Sequence, residues 1–262
     1  MEILLTNDDG IHADGLWALY KCLVRRNEVR VVAPDAERTG VGHGITLNVP
    51  IRVRKITVNG GYKGYAVGGT PADCVKLGIL ELMKKKPDMV ISGINPGANL
   101  GININYSGTV AAAREAALYG VPAIAVSIHS AGVDKYQDAA LFIESFAQRV
   151  SNKRLPFGTF LNVNVPDINI DEYTDIRFSR QGLSVFDEYF DKRKDPRNQS
   201  YYWLGSDMQK FNKNPEIDGA AFHENCITIT PVKCDMTDYS MLDELKKWDI
   251  SKDLKAVGKE KP

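Results

Sequence analysis

Short apolar runs alternate with helical patterns through the first ~150 residues, and that order leaves few folds open. Ile3-Leu4-Leu5-Thr6 reads as a strand. Gly15 to Val24, with Leu16, Ala18, Leu19, Cys22 and Leu23 as its apolar positions, reads as an amphipathic helix. Glu28 to Ala33 is a Val-rich strand closed by Pro34. Arg52 to Val58 alternates as a strand, and Gly60-Gly61 turns it into Tyr62 to Val67. Thr70 caps a helix that Pro71 opens and that runs to Leu82; Lys84-Lys85-Lys86 suits its negative end. Asp88 to Ser92 is a strand, Thr109 to Tyr119 a helix, Ala123 to Ser127 a strand and Asp138 to Val150 a helix. The series predicts an α/β, Rossmann-like fold: a mostly parallel sheet with helices on both faces. Ligands of such sheets bind beyond the carboxyl ends of the strands. The loops after Thr6, Ala33 and Ser92 are therefore where chemistry is expected.

The pattern changes after Leu155. Phe160 to Val165 and Ile176 to Arg180 read as further strands. Residues 183–222 are polar yet carry Phe186, Tyr189, Phe190, Tyr201, Tyr202, Trp203, Phe211 and Phe222. An aromatic stretch without helical period suits an extended hairpin or arm better than a second globular domain. Cys226 to Thr230 alternates as a strand, Leu242 to Ile250 reads as a helix, and the Lys-rich end as frayed. The expected division is an α/β core over 1–182, an extended hairpin or arm over 183–222, and a returning strand and C-terminal helix over 223–262.

Charge excludes several functions. Lys+Arg and Asp+Glu both number 33, so no basic surplus remains for stable nucleic-acid binding or a polybasic membrane anchor. No apolar run approaches the ~20 residues that span a bilayer, and the N-terminus lacks a basic signal-peptide region. A cytoplasmic location with no membrane association is expected. Cys22, Cys74, Cys226 and Cys234 form no C-x-x-C pair, which removes a structural zinc site or a redox motif. Cys22 and Cys74 read as buried free thiols.

Three loops carry candidate chemistry. Asn7-Asp8-Asp9-Gly10 follows the first strand directly. Adjacent carboxylates repel unless a cation lies between them, and hard oxygen ligands suit Mg²⁺ or Mn²⁺; a plain Asp-Gly turn accounts for the motif equally well. Asp35 to Gly44 holds three glycines in five positions and the Thr39 hydroxyl, but no helix follows and it is not a dinucleotide motif. No P-loop is present either. Asn95 at the third strand's end offers a neutral oxygen. Ser107-Gly108-Thr109 opens a helix, where free N–H groups and the dipole make an anion site, plain N-capping being the simpler reading. The histidines at 12, 43, 129 and 223 read as structural or peripheral, because none sits at ligand spacing from a second nitrogen or a thiolate. Two carboxylates, a hydroxyl, a carboxamide and an anion cradle on one sheet edge fit metal-assisted phosphoryl chemistry.

Leu4 to Ile11 (LLTNDDGI), Val32 to Asp35 (VAPD), Gly69 to Val75 (GTPADCV), Ser92 to Asn95 (SGIN) and Tyr106 to Val110 (YSGTV) together resemble the SurE family of survival-protein nucleotidases. Asp195-Pro196-Arg197, Tyr201-Tyr202-Trp203 and Ile227 to Pro231 extend the likeness over nearly the whole chain. The resemblance implies a 5′- and 3′-nucleoside monophosphate phosphatase with one divalent metal per site. It places the metal ligands on Asp8, Asp9, Thr39 and Asn95, and the phosphate contacts on Asn99, Ser107, Gly108 and Thr109. It further implies a homodimer or homotetramer built by exchange of C-terminal arms. The family usually has Ser where this chain has Thr39, which keeps the hydroxyl and stiffens χ1. Pro96 biases Asn95 away from the α region. Asp8 is the expected catalytic carboxylate, either attacking phosphorus or orienting and deprotonating a water. A short-chain polyphosphate or general phosphomonoester phosphatase, and a non-catalytic nucleotide sensor, are the rival readings.

Overall fold

The computed structural model describes residues 1–58, 60–129, 133–166, 175–183, 188–206, 214–248 and 250. In chain order its elements are β1 (Glu2–Thr6), α1 (Asp14–Leu23), β2 (Glu28–Pro34), β3 (Val53–Thr57), β4 (Lys63–Val67), α2 (Pro71–Leu77), β5 (Met89–Pro96), α3 (Gly108–Leu118), β6 (Ala123–Ile128), α4 (Val133–Lys153), β7 (Thr159–Val165), β8 (Ile176–Phe178), β9 (Glu188–Lys194), β10 (Ser200–Ser206), α5 (Asp218–His223), β11 (Ile227–Lys233) and α6 (Tyr239–Leu245).

The central sheet has nine strands in the order β3-β4-β2-β1-β5-β6-β7-β11-β8. All neighbours are parallel except β3 with β4 and β11 with β7. β1 is buried from end to end, as its unbroken apolar run requires of a strand covered on both faces. Successive side chains point to opposite faces. Ile3 and Leu5 join Leu16, Leu19 and Ile143 under α1 and α4, while Leu4 joins Val32, Val90 and Ala113 under α2 and α3. The two cores are the two faces of one Rossmann-like sheet. From β1 the chain builds outward through β2, β3 and β4, then α2 returns it to β5 on the other side of β1. The order reverses at β1, the switch point beyond whose strand ends such sheets bind their ligands.

Several element boundaries differ from expectation: β5 runs on to Pro96 rather than ending at Ser92, β11 runs on to Lys233 rather than Thr230, and β8 stops at Phe178 rather than Arg180. α2 ends at Leu77, and a wider π-helical turn, Gly78–Leu82, completes the helical path. Gly78 packs so closely on Leu4 that an added Cβ would stand 2.6 Å from its Cδ2. α4 begins at Val133 rather than Asp138. α5 lies inside the stretch read as arm. The last helix runs over Tyr239–Leu245 instead of Leu242 to Ile250, because the Asp238 side chain accepts the Met241 N–H at 2.9 Å and starts it earlier.

β9 and β10 form a separate antiparallel hairpin, Ser200 facing Lys194 through to Ser206 facing Glu188. Asp195 Oδ1 closes its turn by accepting the N–H groups of Arg197 and Gln199, both at 2.8 Å. Phe190 and Trp203 are 68% and 62% exposed on it. β11 then rejoins the main sheet beside β7. Phe186, Phe211 and the Lys-rich end lie outside the described residues. All four cysteines are free thiols. Among the described residues no helix is long and apolar enough to cross a membrane.

Candidate active site

The site grows from the end of β1. Thr6 pairs in register with Ser92 of β5. The chain then turns: Asn7 Nδ2 donates to the Gly10 carbonyl at 2.9 Å. Gly10 has φ +97°, and a Cβ there would stand 3.1 Å from the Ala36 carbonyl carbon. The turn is thus pressed against the loop after β2. The Arg38 N–H donates to the Asp8 carbonyl at 2.7 Å, and the Ile11 N–H to the Pro34 carbonyl at 2.8 Å, which stitches the two loops together.

Asp8 is buried and its carboxylate is seated on the N-terminus of α3. The Thr109 hydroxyl donates to Asp8 Oδ1, at the helix end whose first N–H groups have no partner within the helix. Gly108 permits this approach, since a Cβ there would lie 2.7 Å from Asp8 Cβ and 2.9 Å from its Oδ2. Ser107 caps the helix, its Oγ accepting the Val110 N–H at 3.1 Å. The helix end read as a phosphate cradle therefore already holds a protein carboxylate, whose charge the free N–H groups and dipole favour.

Burial pushes the Asp8 carboxyl up, against the pull of its hydrogen bonds. Asp9 rises to about 7, first through burial and then through the charges of Asp8 and Glu37. Its Oδ2 is buried without a hydrogen-bond partner, as is Asn7 Oδ1. An orphaned carboxylate oxygen beside a second carboxylate is the environment a cation relieves. Among the described residues no group of three His, Cys, Asp or Glu is arranged to hold a metal ion by itself. A metal here would rest on two carboxylates and neutral oxygens, a donor set for a hard cation such as Mg²⁺ or Mn²⁺.

The remaining expected residues are placed less uniformly. Asn95 lies in β5, past a register shift between Ser92 and Asn95, and pairs with Ser127 of β6. Its Nδ2 donates to the Gly97 carbonyl at 2.6 Å, leaving Oδ1 for a ligand. Thr39 is exposed, and its hydroxyl donates to Glu37 Oε1 at 2.7 Å. Asn99 is nearly buried, with Nδ2 donating to Ser127 Oγ at 2.8 Å. The fold thus brings Asp8, Asp9, Gly108 and Thr109 together, and in it the Thr39 hydroxyl and the Asn99 amide nitrogen bond to other protein groups. His43 is structural: its Nε2 lies 2.7 Å from Glu115 Oε2 on α3, and Lys76 Nζ of α2 reaches Glu115 Oε1 at 2.6 Å. Sequence reasoning missed Asn162 and Asn164, whose side chains hold the Asn99 backbone. The signal was present, since asparagine at alternate positions of a buried strand needs a partner inside the fold.

Residues 3–188 match the family model for survival protein SurE. The 5′-nucleotidase SurE of Desulfatibacillum aliphaticivorans is 55% identical over 252 residues, covering 96% of this chain and all of the relative. The 5′-nucleotidase SurE of Syntrophobacter fumaroxidans is 44% identical over 250 residues, covering 95% of this chain and all of that one. The crystal structure of SurE protein from Aquifex aeolicus superposes with a TM-score of 0.81 at 36% identity, covering 94% of this chain and 98% of that chain. The motifs of the three loops, the sheet order and these matches along nearly the whole length converge: the chain belongs to the SurE family.

Proposed function

We propose that the chain is a divalent-metal-dependent nucleotidase that hydrolyses nucleoside 5′-monophosphates, and 3′-monophosphates, to nucleoside and phosphate. One observation carries the reading: the Asp8 carboxylate is held at the N-terminus of α3 beside Asp9, whose second oxygen has no partner. The names of the close relatives support it. Asp8, Asp9, Thr39 and Asn95 would hold the cation, Mg²⁺ or Mn²⁺. When bound, such a cation neutralises charge on the phosphate and polarises it. Asn99, Ser107, Gly108 and Thr109 would face the phosphate oxygens. Asp8 is aimed by the Thr109 hydroxyl and by its seat against Gly108 at the start of α3. It acts either as the attacking carboxylate or as the base that orients a water. In both routes the bond from phosphorus to the nucleoside oxygen breaks and a water supplies the oxygen that replaces it.

The arm over 183–222 is assigned to exchange between subunits of a homodimer or homotetramer, because an isolated two-stranded hairpin with exposed aromatics is marginal in water. Four free thiols suit the reducing cytoplasm.

The test is phosphate release from a panel of 5′- and 3′-nucleoside monophosphates and short polyphosphate. It runs in EDTA and then with Mg²⁺ or Mn²⁺, beside Asp8→Asn. Metal-dependent release from nucleotides, lost in the variant, is the expected result. Preference for polyphosphate would move the substrate class, and tight nucleotide binding without release would make the protein a sensor.

A further inference from the structure

The loop between β5 and α3 is gripped from the far half of the chain. The Asn99 N–H donates to Asn164 Oδ1 at 2.7 Å, and its carbonyl accepts from Asn162 and Asn164 at 2.8 and 3.2 Å. Two residues on, the Gly101 N–H donates to Asp218 Oδ2 at 2.8 Å, and the Gly101 carbonyl accepts from Gln181 Nε2 at 2.8 Å. Asp218 is fully buried at the start of α5. Its other oxygen accepts the N–H groups of Gly182 at 3.0 Å and Gly219 at 2.8 Å.

Gly182 and Asp218 flank the arm. The chain leaves the core at the first and returns at the second. Arg180 bridges to Ile217 there, and the Asp218 N–H donates to the Arg180 carbonyl at 3.0 Å. One carboxylate therefore closes the base of the arm with Oδ1 and holds the Gly101 N–H with Oδ2. From Gly101 the backbone makes one 3₁₀ turn to Asn105, and the Ser107 N–H donates to the Asn103 carbonyl at 3.1 Å. The next residues are Gly108 and Thr109. A shift at Gly101 is delivered within one turn to the helix end that holds Asp8.

We propose that Asp218, with Gln181, is a positioning residue that ties the base of the arm to the loop Asn99–Ser107 and so sets the substrate side of the site. The kinetic half of this inference rests on the nucleotidase reading; the structural half does not. Closing the arm base needs only Oδ1, and the second oxygen is committed to the loop.

Asp218→Asn separates the two duties. With its oxygen on Gly182 and Gly219, the amide nitrogen faces the Gly101 N–H, donor against donor. Gln181→Ala removes the second grip from a half-buried position. Amide exchange over Gly101–Tyr106 is expected to accelerate in both full-length variants. KM for a nucleoside monophosphate is expected to rise about fivefold to tenfold, the worth of one hydrogen bond, with kcat changing less. Ile229→Val, a core change in β11, is the control. Unchanged loop exchange in the folded variants overturns the proposal, as does an equal change in the control at matched loss of stability. If Asp218→Asn fails to fold, Gln181→Ala decides. A wild-type protein without turnover would remove the nucleotidase reading and leave the exchange result to judge this one.

Discussion

At the scale of single residues, the contact between Asp8 and the start of α3 is where the chemistry is most exposed to test. Gly108→Ala places a methyl 2.7 Å from Asp8 Cβ. Overpacking of that kind costs about 1–3 kcal/mol, so we expect kcat/KM for a nucleoside monophosphate to fall about tenfold while circular dichroism stays native. Thr109→Val keeps the shape and removes the donor to Asp8 Oδ1. A hydrogen bond to a charged group is worth about 1.5–3 kcal/mol, so turnover should drop about tenfold to a hundredfold, and Thr109→Ser should restore most of it. Full turnover in the valine variant would show that Asp8 needs no orienting hydroxyl. The Asp8-Asp9 pair and the Ser107-Gly108-Thr109 turn were legible in the sequence because strand ends and helix starts have local signatures. That the two meet was not, because a contact between residues 8 and 109 is a property of strand order.

Among elements, the buried Glu115 joins three of them: α3 carries it, α2 supplies Lys76, and the loop after β2 supplies His43. Burial pushes the Glu115 carboxyl up, but the hydrogen bonds from His43 and Lys76 and their charges together hold it below its ordinary value. A carboxyl whose value is lower folded than unfolded stabilises the fold above the unfolded value. That stability is lost as pH falls through the folded value. Glu115→Gln should therefore lower the unfolding free energy at pH 7 by about 1–3 kcal/mol, since both partners are partly exposed, and with it the melting temperature. The gap to wild type should close as pH drops below the usual carboxylate range. A gap independent of pH would mean that packing, not charge, is what Glu115 contributes. The elements themselves were largely readable where a local signal is strong, the apolar run in β1, the period in α1 and the Ser107 cap in α3. α6 was placed three residues late because the Asp238 cap was passed over. α5 was missed because a helix of six residues is too short for periodicity to register.

For the whole molecule, the arm is a part that a single chain leaves uncovered. Phe190 and Tyr202 meet on one face of the hairpin, ring centroids 6.4 Å apart. The double variant Phe190→Ser with Tyr202→Ser is expected to shift sedimentation toward a smaller species, and an unchanged mass would take the arm out of assembly. The α/β class was plain from the alternation of elements, whereas the side-chain clamps from Asn162, Asn164 and Asp218 were not, since each bonds across 36 or more residues. Those long reaches also set a timetable. During synthesis Asp8, Asp9 and Asn95 emerge early, yet the Asp218 that holds Gly101 follows it by 117 residues. At ribosomal speeds that delay is roughly ten seconds. On the role proposed for Asp218, the nascent chain therefore displays Asp8 and Asp9 well before the loop Asn99–Ser107 can be held in its final place.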